Sequence, residues 1–330
     1  MKLLSAALVG STIALANAAS AATEIRCSHQ LPPAHEVAKV IDRWAAEVEN
    51  LSGGELDVQI FGANSLVGAR ENIVSVAKGD IECAFSINFQ WGKTLPIMSV
   101  TTRPFAFGDL GIWRNWDGSD AANFLEDKLR AKGVENVVWV FQTNDTVFTS
   151  KGKYLIKPED FEGIKMRGLV PSFNASLEAL GASPVSMSGG EVYQALATGV
   201  IDAAMTGTQA AVARKYYEVQ DHFTVVPVIS AYFHGYLNPD FYAGLSDNAK
   251  AALDEAGAKA AGWAVDAAIE ASKGAPEALA AKGVNVYTLT AEENAALEAV
   301  MQPAFDAAFG SVDEDGQKLI DLIDDLRSGS

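Results

Sequence analysis

Strand-like and helix-like stretches alternate along the first two thirds of this chain, and that alternation restricts the fold more than any other feature. Residues 34–51 put Val37, Val40, Ile41, Trp44 and Val48 on one helical face and end at Ser52-Gly53-Gly54. Leu56-Asp57-Val58-Gln59-Ile60-Phe61 then alternates apolar and polar residues as a strand does. Residues 70–78 read as a helix stopped by Gly79, with a strand over 81–85 after it. Further strands are expected at 136–141, 164–167 and 200–205, and helices at 172–180 and 191–198, closed by Gly181 and Gly199. Strand–helix–strand order repeated in this way predicts an α/β architecture.

The last third differs. Ser246 reads as an N-cap, and residues 247–272 form an Ala-rich helix of about 26 residues, roughly 39 Å long at ~1.5 Å per residue. Gly274 and Pro276 are expected to break or kink it. Thr290 and Glu293 form a capping box for a further helix. No repeat and no low-complexity linker interrupts the 330 residues, which predicts lobes joined by several crossings. The net charge of −17 works against nucleic acid and anionic lipid, both of which are held mainly by Lys and Arg.

Lys2, the apolar run 3–16 and the small residues Ala19-Ser20-Ala21 read as a signal peptide over 1–22. An N-terminal core helix is the alternative. The run is too short, and too interrupted by Ser5, Ser11 and Thr12, for a membrane span of ~20 residues. A periplasmic chain with no membrane insertion after signal cleavage is therefore expected. The two cysteines, Cys27 and Cys83, fall on the first and third strand-like stretches, which commonly adjoin in doubly wound lobes. They could bridge if their Cα atoms come within about 7 Å, or each could pack as a small hydrophobe.

Catalytic motifs are missing. There is no Gly-x-Ser-x-Gly elbow, no phosphate-binding Gly-rich loop, no His-Glu-x-x-His and no Cys-x-x-Cys. The four histidines lie in no nucleophile–base pattern, and Pro32-Pro33 separates His29 from His35. Helical carboxylates such as Glu47/Glu49 read as solvated faces. No catalytic residue, cofactor or metal site is expected, so the chain reads as one that binds without reacting.

Several blocks resemble the periplasmic solute-binding proteins of tripartite ATP-independent periplasmic (TRAP) transporters. They are Ile25-Arg26-Cys27-Ser28-His29-Gln30-Leu31-Pro32-Pro33-Ala34-His35, the loop 61–68, Arg103-Pro104-Phe105-Ala106-Phe107, Asp160-Phe161-Glu162-Gly163-Ile164-Lys165-Met166-Arg167, and the segments 180–187 and 191–202. In order and spacing they span essentially the whole chain after the signal peptide. The resemblance implies a two-lobed periplasmic binding protein of type II-like form, with a long helix crossing both lobes. Lobe one would comprise 23–145 plus 235–275, and lobe two 146–234 plus 276–330. It further implies small and large membrane subunits as partners and a small carboxylate-bearing solute caught between the lobes. Rival readings are an input protein for a membrane sensor and a secreted enzyme on the same scaffold.

By the same resemblance Arg167 receives the solute carboxylate, a task suited to a guanidinium fork that makes two parallel charge-assisted bonds. Thr206 stands where sialic-acid-like members carry asparagine, and Asp145 stands at or near the place of a second arginine. Gly189-Gly190 replaces an occasional aromatic, and Asn88, Gln90 and Trp91 occupy a ligand-facing loop, with His29 in the first block. Asp145 in place of arginine reverses the local charge, which disfavours a dicarboxylate or sugar acid and favours a monocarboxylate or a zwitterion. Asp145 could instead pair with Arg167 or Lys151. Trp91 could offer a cation–π face or pack as core.

Overall fold

The computed structural model describes residues 22–107, 110–310 and 314–328, so the signal-peptide assignment to 1–22 lies outside the described residues except at Ala22. In chain order the strands are β1 (Thr23–Ser28), β2 (Leu56–Phe61), β3 (Cys83–Ile87), β4 (Glu135–Thr143), β5 (Thr146–Ser150) and β6 (Lys165–Gly168). They continue with β7 (Ser183–Ser186), β8 (Ala204–Gly207), β9 (His222–Val226), β10 (Ala231–Leu237) and β11 (Asn285–Thr288). One lobe is built on a sheet of order β2-β1-β3-β10-β4, the other on β11-β9-β5-β8. The pair β6-β7 joins the second sheet through a bridge from Met166 to Ala203.

In lobe one the apolar face of helix Glu36–Leu51 is buried as its spacing predicts, with Val37, Val40, Ile41, Trp44 and Val48 all in the core. β1 runs parallel to both β2 and β3, and Cys27 stands directly opposite Cys83. Their Cα atoms are 4.3 Å apart and the two form a disulfide. β10 is the strand that returns from lobe two, and it lies antiparallel between β3 and β4. The chain leaves lobe one between β4 and β5 and comes back between β9 and β10. The Thr146 hydroxyl ties the two crossings, donating to the Val226 carbonyl and accepting the Val228 N–H at 3.1 Å.

The strand expected at 200–205 begins later, at Ala204. Val200 is 53% exposed, and Asp202 is held in a turn where its Oδ2 accepts the Lys165 N–H at 3.0 Å. Pairing therefore starts only where Ala203 meets Met166.

The long helix also departs from expectation. Ser246 caps it, accepting the Ala249 N–H at 3.0 Å, and it runs unbroken over Asp247–Ala280, 34 residues or about 51 Å. Neither Gly274 nor Pro276 breaks it. A proline inside a helix costs ~3 kcal/mol, but here Ala275 and Leu279 on either side are fully buried, Leu279 in the core of lobe two. Its small-residue face (Ala249, Ala256, Ala260, Ala264) packs into lobe one. Gly257 makes the closest approach to the sheet. A Cβ there would lie 2.4 Å from the Val137 carbonyl oxygen, so only glycine lets the helix sit so near β4.

The C-terminal helices, expected on lobe two, are shared between the lobes. In helix Ala291–Gly310, Leu297 and Met301 pack in lobe two, whereas Phe305 and Phe309 pack in lobe one. The last helix, Glu314–Ser328, buries Leu319 and Ile323 in lobe one. The apolar residues of lobe-one helices Leu110–Arg114 and Asp120–Arg130 supply the surface that draws it there.

Candidate functional site

Strand parity places Arg167. Met166 points into the lobe-two core with no exposure, so the next residue of β6 must face the other way, into the space between the lobes. The guanidinium is buried, 3% exposed, and its Nη1 donates to the Met205 carbonyl at 2.9 Å and its Nε to the Met187 carbonyl at 3.4 Å. Phe89, from lobe one, puts its ring centroid 5.7 Å from the guanidinium carbon. Among the described residues no carboxylate lies within ion-pair distance of it. Burial pushes its pKa down to about 10, and Arg214 works in the same direction against Tyr216 and Glu191.

Arg167 opens on a small cavity between the lobes. Gln30, Ile87, Phe89 and Gln142 line it from lobe one, and Leu169, Thr206 and Arg214 from lobe two. The Oε1 atoms of Gln30 and Gln142 are buried there without a hydrogen-bond donor. Across the lobes, Arg70 pairs with Glu191 at 2.7 Å, and the same Glu191 oxygen accepts the Ser188 N–H at 2.8 Å.

Thr206 lines this cavity with Arg167 as the sequence reading placed it, but four other candidates do not. Trp91 is fully buried in the lobe-one core, where its indole N–H donates to His234 Nε2 at 2.6 Å. Asn88 donates to the Thr101 hydroxyl at 3.0 Å inside the same lobe, and Gln90 is half-buried, with both amide atoms buried and unpartnered, and is not among the residues that line the cavity. The residues of this stretch that reach the cavity are Ile87 and Phe89, in place of the expected Asn88, Gln90 and Trp91. β3 ends at Ile87, and the 3-10 turn Asn88–Trp91 that follows leaves Phe89 at the cavity while Trp91 turns into the lobe-one core. His29 turns to Gly62, accepts the Leu31 N–H at 3.1 Å and is held near a pKa of about 4 by burial. Its neighbour Gln30 faces the cavity instead.

Asp145 does not pair with Arg167 or Lys151. It lines a second, smaller cavity that adjoins the first along Gln142, Thr143 and Gly207. Burial raises its pKa to about 6. The Thr208 hydroxyl opposes that shift from nearby without reaching hydrogen-bonding geometry.

A second arginine is nevertheless present, from a different element. Arg214 follows helix Thr208–Ala213, and its guanidinium has no hydrogen bond or ion pair to any described residue. It lies against Gly189, where an added Cβ would meet three guanidinium atoms at 2.8 Å. The one trace of this in the sequence was Gly189-Gly190 standing in place of an aromatic. The glycine opens the room that the arginine fills.

The family model described as bacterial extracellular solute-binding protein, family 7, matches residues 27–311. The chain belongs to this family. Its architecture is that of the TRAP solute receptors. The C4-dicarboxylate-binding periplasmic protein DctP of Rhodobacter capsulatus is 31% identical over 313 residues, 91% of this chain and 92% of its own. A TRAP periplasmic solute binding protein from Desulfovibrio salexigens, with bound orotic acid, matches with a TM-score of 0.87 at 24% identity over 92% of this chain and 98% of its own. The Bordetella pertussis extracytoplasmic solute receptor DctP7, binding pyroglutamic acid, matches with a TM-score of 0.82 at 22% identity over 92% of this chain and 99% of its own. At these identities the structural likenesses speak for the fold.

Proposed function

We propose that this family member is the periplasmic receptor of a TRAP transporter, that it performs no chemical step, and that Arg167 receives the carboxylate of a small solute it hands to the small and large membrane subunits. One observation carries this reading. Arg167 is a buried cation whose only hydrogen-bond partners among the described residues are two carbonyl oxygens, in a cavity that Phe89 and Arg167 bound from opposite lobes. A buried guanidinium with no counter-charge is costly unless an anion completes it, and a carboxylate has the fork-shaped complement. Arg214 adds positive potential beside it, and the unfilled acceptors of Gln30 and Gln142 suit hydroxyl or amine groups on the solute. Solved structures of similar receptors hold small acids, among them orotic and pyroglutamic acid, which supports the same class here.

The test is a thermal-shift screen of organic acids, amino acids and betaines, followed by calorimetry on the best hit. Arg167→Ala should weaken that hit by about 30-fold or more while leaving the melt intact. Arg167→Lys should recover little, because an ammonium cannot make the paired bonds. Undiminished binding to Arg167→Ala would move the carboxylate elsewhere.

A further inference from the structure

The cavity beside the arginines has the opposite chemistry. Glu36 enters it from the first turn of helix Glu36–Leu51, Asp145 from the crossing after β4, and Ser272 from the long helix. Glu36 Oε2 is buried and has no hydrogen-bond donor. His35 Nδ1 lies 3.3 Å from it, but that nitrogen already accepts the Val37 N–H at 3.2 Å and has no proton to give. Burial also holds His35 neutral, well below the usual histidine range. Gln142, 5% exposed, stands in the wall common to both cavities with its Oε1 unpartnered.

Two carboxylates and an orphaned amide oxygen therefore converge beside a site built for an anion. Arg214 and Lys39 act on Glu36 only from beyond ion-pair distance. Among the described residues no aromatic ring lines this cavity, so a quaternary ammonium would find none of the π faces that such groups require. A cation that carries N–H bonds would find three acceptors.

From this geometry we infer that the second cavity is an ammonium subsite, and that the solute is a zwitterion whose carboxylate meets Arg167 and whose protonated amine sits among Glu36, Asp145 and Gln142 Oε1. The inference rests on the carboxylate reading of the first cavity. Burial lifts Glu36 to about 7 and Asp145 to about 6, the direction that desolvation gives a carboxyl with no cation in contact among the described residues.

Calorimetry on the mature chain with matched pairs tests it: β-alanine against propanoate, γ-aminobutyrate against butyrate, δ-aminovalerate against valerate, and the N-trimethyl form of each amine. In at least one set the amine should bind about 30-fold or more tighter than both the plain acid and the trimethyl form. Glu36→Gln and Asp145→Asn keep the shape of each side chain and should reduce that preference to a few-fold, leaving the plain acid within about threefold. Several results overturn the inference: no amine preferred in any set, a preference untouched by both variants, or trimethyl forms binding as tightly. Acid binding that depends on added sodium ions and not on the amine would assign the acceptors to a metal cation and overturn it as well. Because the pairs are compared on the parent chain, the test does not depend on the variants folding. Failure of the carboxylate reading itself shows separately, as binding of both members of a pair that survives Arg167→Ala.

Discussion

Removing the Cys27–Cys83 bridge should destabilise lobe one and leave lobe two nearly untouched. The bridge closes a loop between residues 56 apart in sequence, on directly paired positions of β1 and β3. In the chain-entropy account a loop of that size restricts the unfolded state by about 14 cal/mol/K, or about 4 kcal/mol at 25 °C. Little of this is offset in the folded state, because hydrogen bonding between β1 and β3 already holds the two residues in register. For a unit of 150–250 residues, ~4 kcal/mol corresponds to a fall in melting temperature of roughly 8–16 °C. The chain carries its own reporter for this lobe. Its six tryptophans (Trp44, Trp91, Trp113, Trp116, Trp139 and Trp263) all pack in the lobe-one core, so tryptophan fluorescence follows that lobe alone. The double variant Cys27→Ala/Cys83→Ala would be melted beside the parent, with a third sample of the parent in dithiothreitol separating the bridge from the lost sulfur contacts. A fluorescence midpoint within about 2 °C of the parent, in both the variant and the reduced sample, would refute the reasoning.

Two further outcomes follow from the cleft. Burial raises Glu36 from its ordinary 4.5 to about 7, so between those pH values the folded chain keeps a proton that the unfolded chain has lost. Stability of the unliganded protein should therefore fall as pH rises through that window and level off above it, by on the order of 3 kcal/mol. Urea titrations at pH 5 and pH 8 should show Glu36→Gln with a much flatter dependence, and equal slopes in the two proteins would count against a buried, unpaired Glu36. Gly189→Ala places a methyl group 2.8 Å from the Arg214 guanidinium and should displace it. Carboxylate affinity should then drop about tenfold, the worth of one charge-assisted hydrogen bond, with little change in the melt. Unchanged affinity would mean that Arg214 does not reach the solute.

Short-range physics made much of this protein readable from its residues. A helix or strand is decided within a few neighbours, so the buried face of Glu36–Leu51, the cap at Ser246 and the Thr290/Glu293 capping box stand where spacing and side-chain chemistry put them. Arg167 was legible for a similar reason, since parity on a short strand sends it away from the Met166 core and its motif is local. The cleft is different, because it forms where two sheets and a long helix end against one another. That Phe89 and not Trp91 lines the cavity is decided by the 3-10 turn after β3 and by the packing of Trp91 on Tyr236 and on His234, 143 positions away in sequence. Arg214 comes from an element far in sequence from Gln30 and Glu36, and only the fold brings it to the cavities that they line. Pro276 shows the same division in energetic terms. Its local cost of ~3 kcal/mol argues for a break, and the long helix continues because burial of Ala275 and Leu279 between distant parts of the chain outweighs it. Local order depends on neighbours in sequence and was readable; the site depends on neighbours in space, which the folded lobes alone bring together.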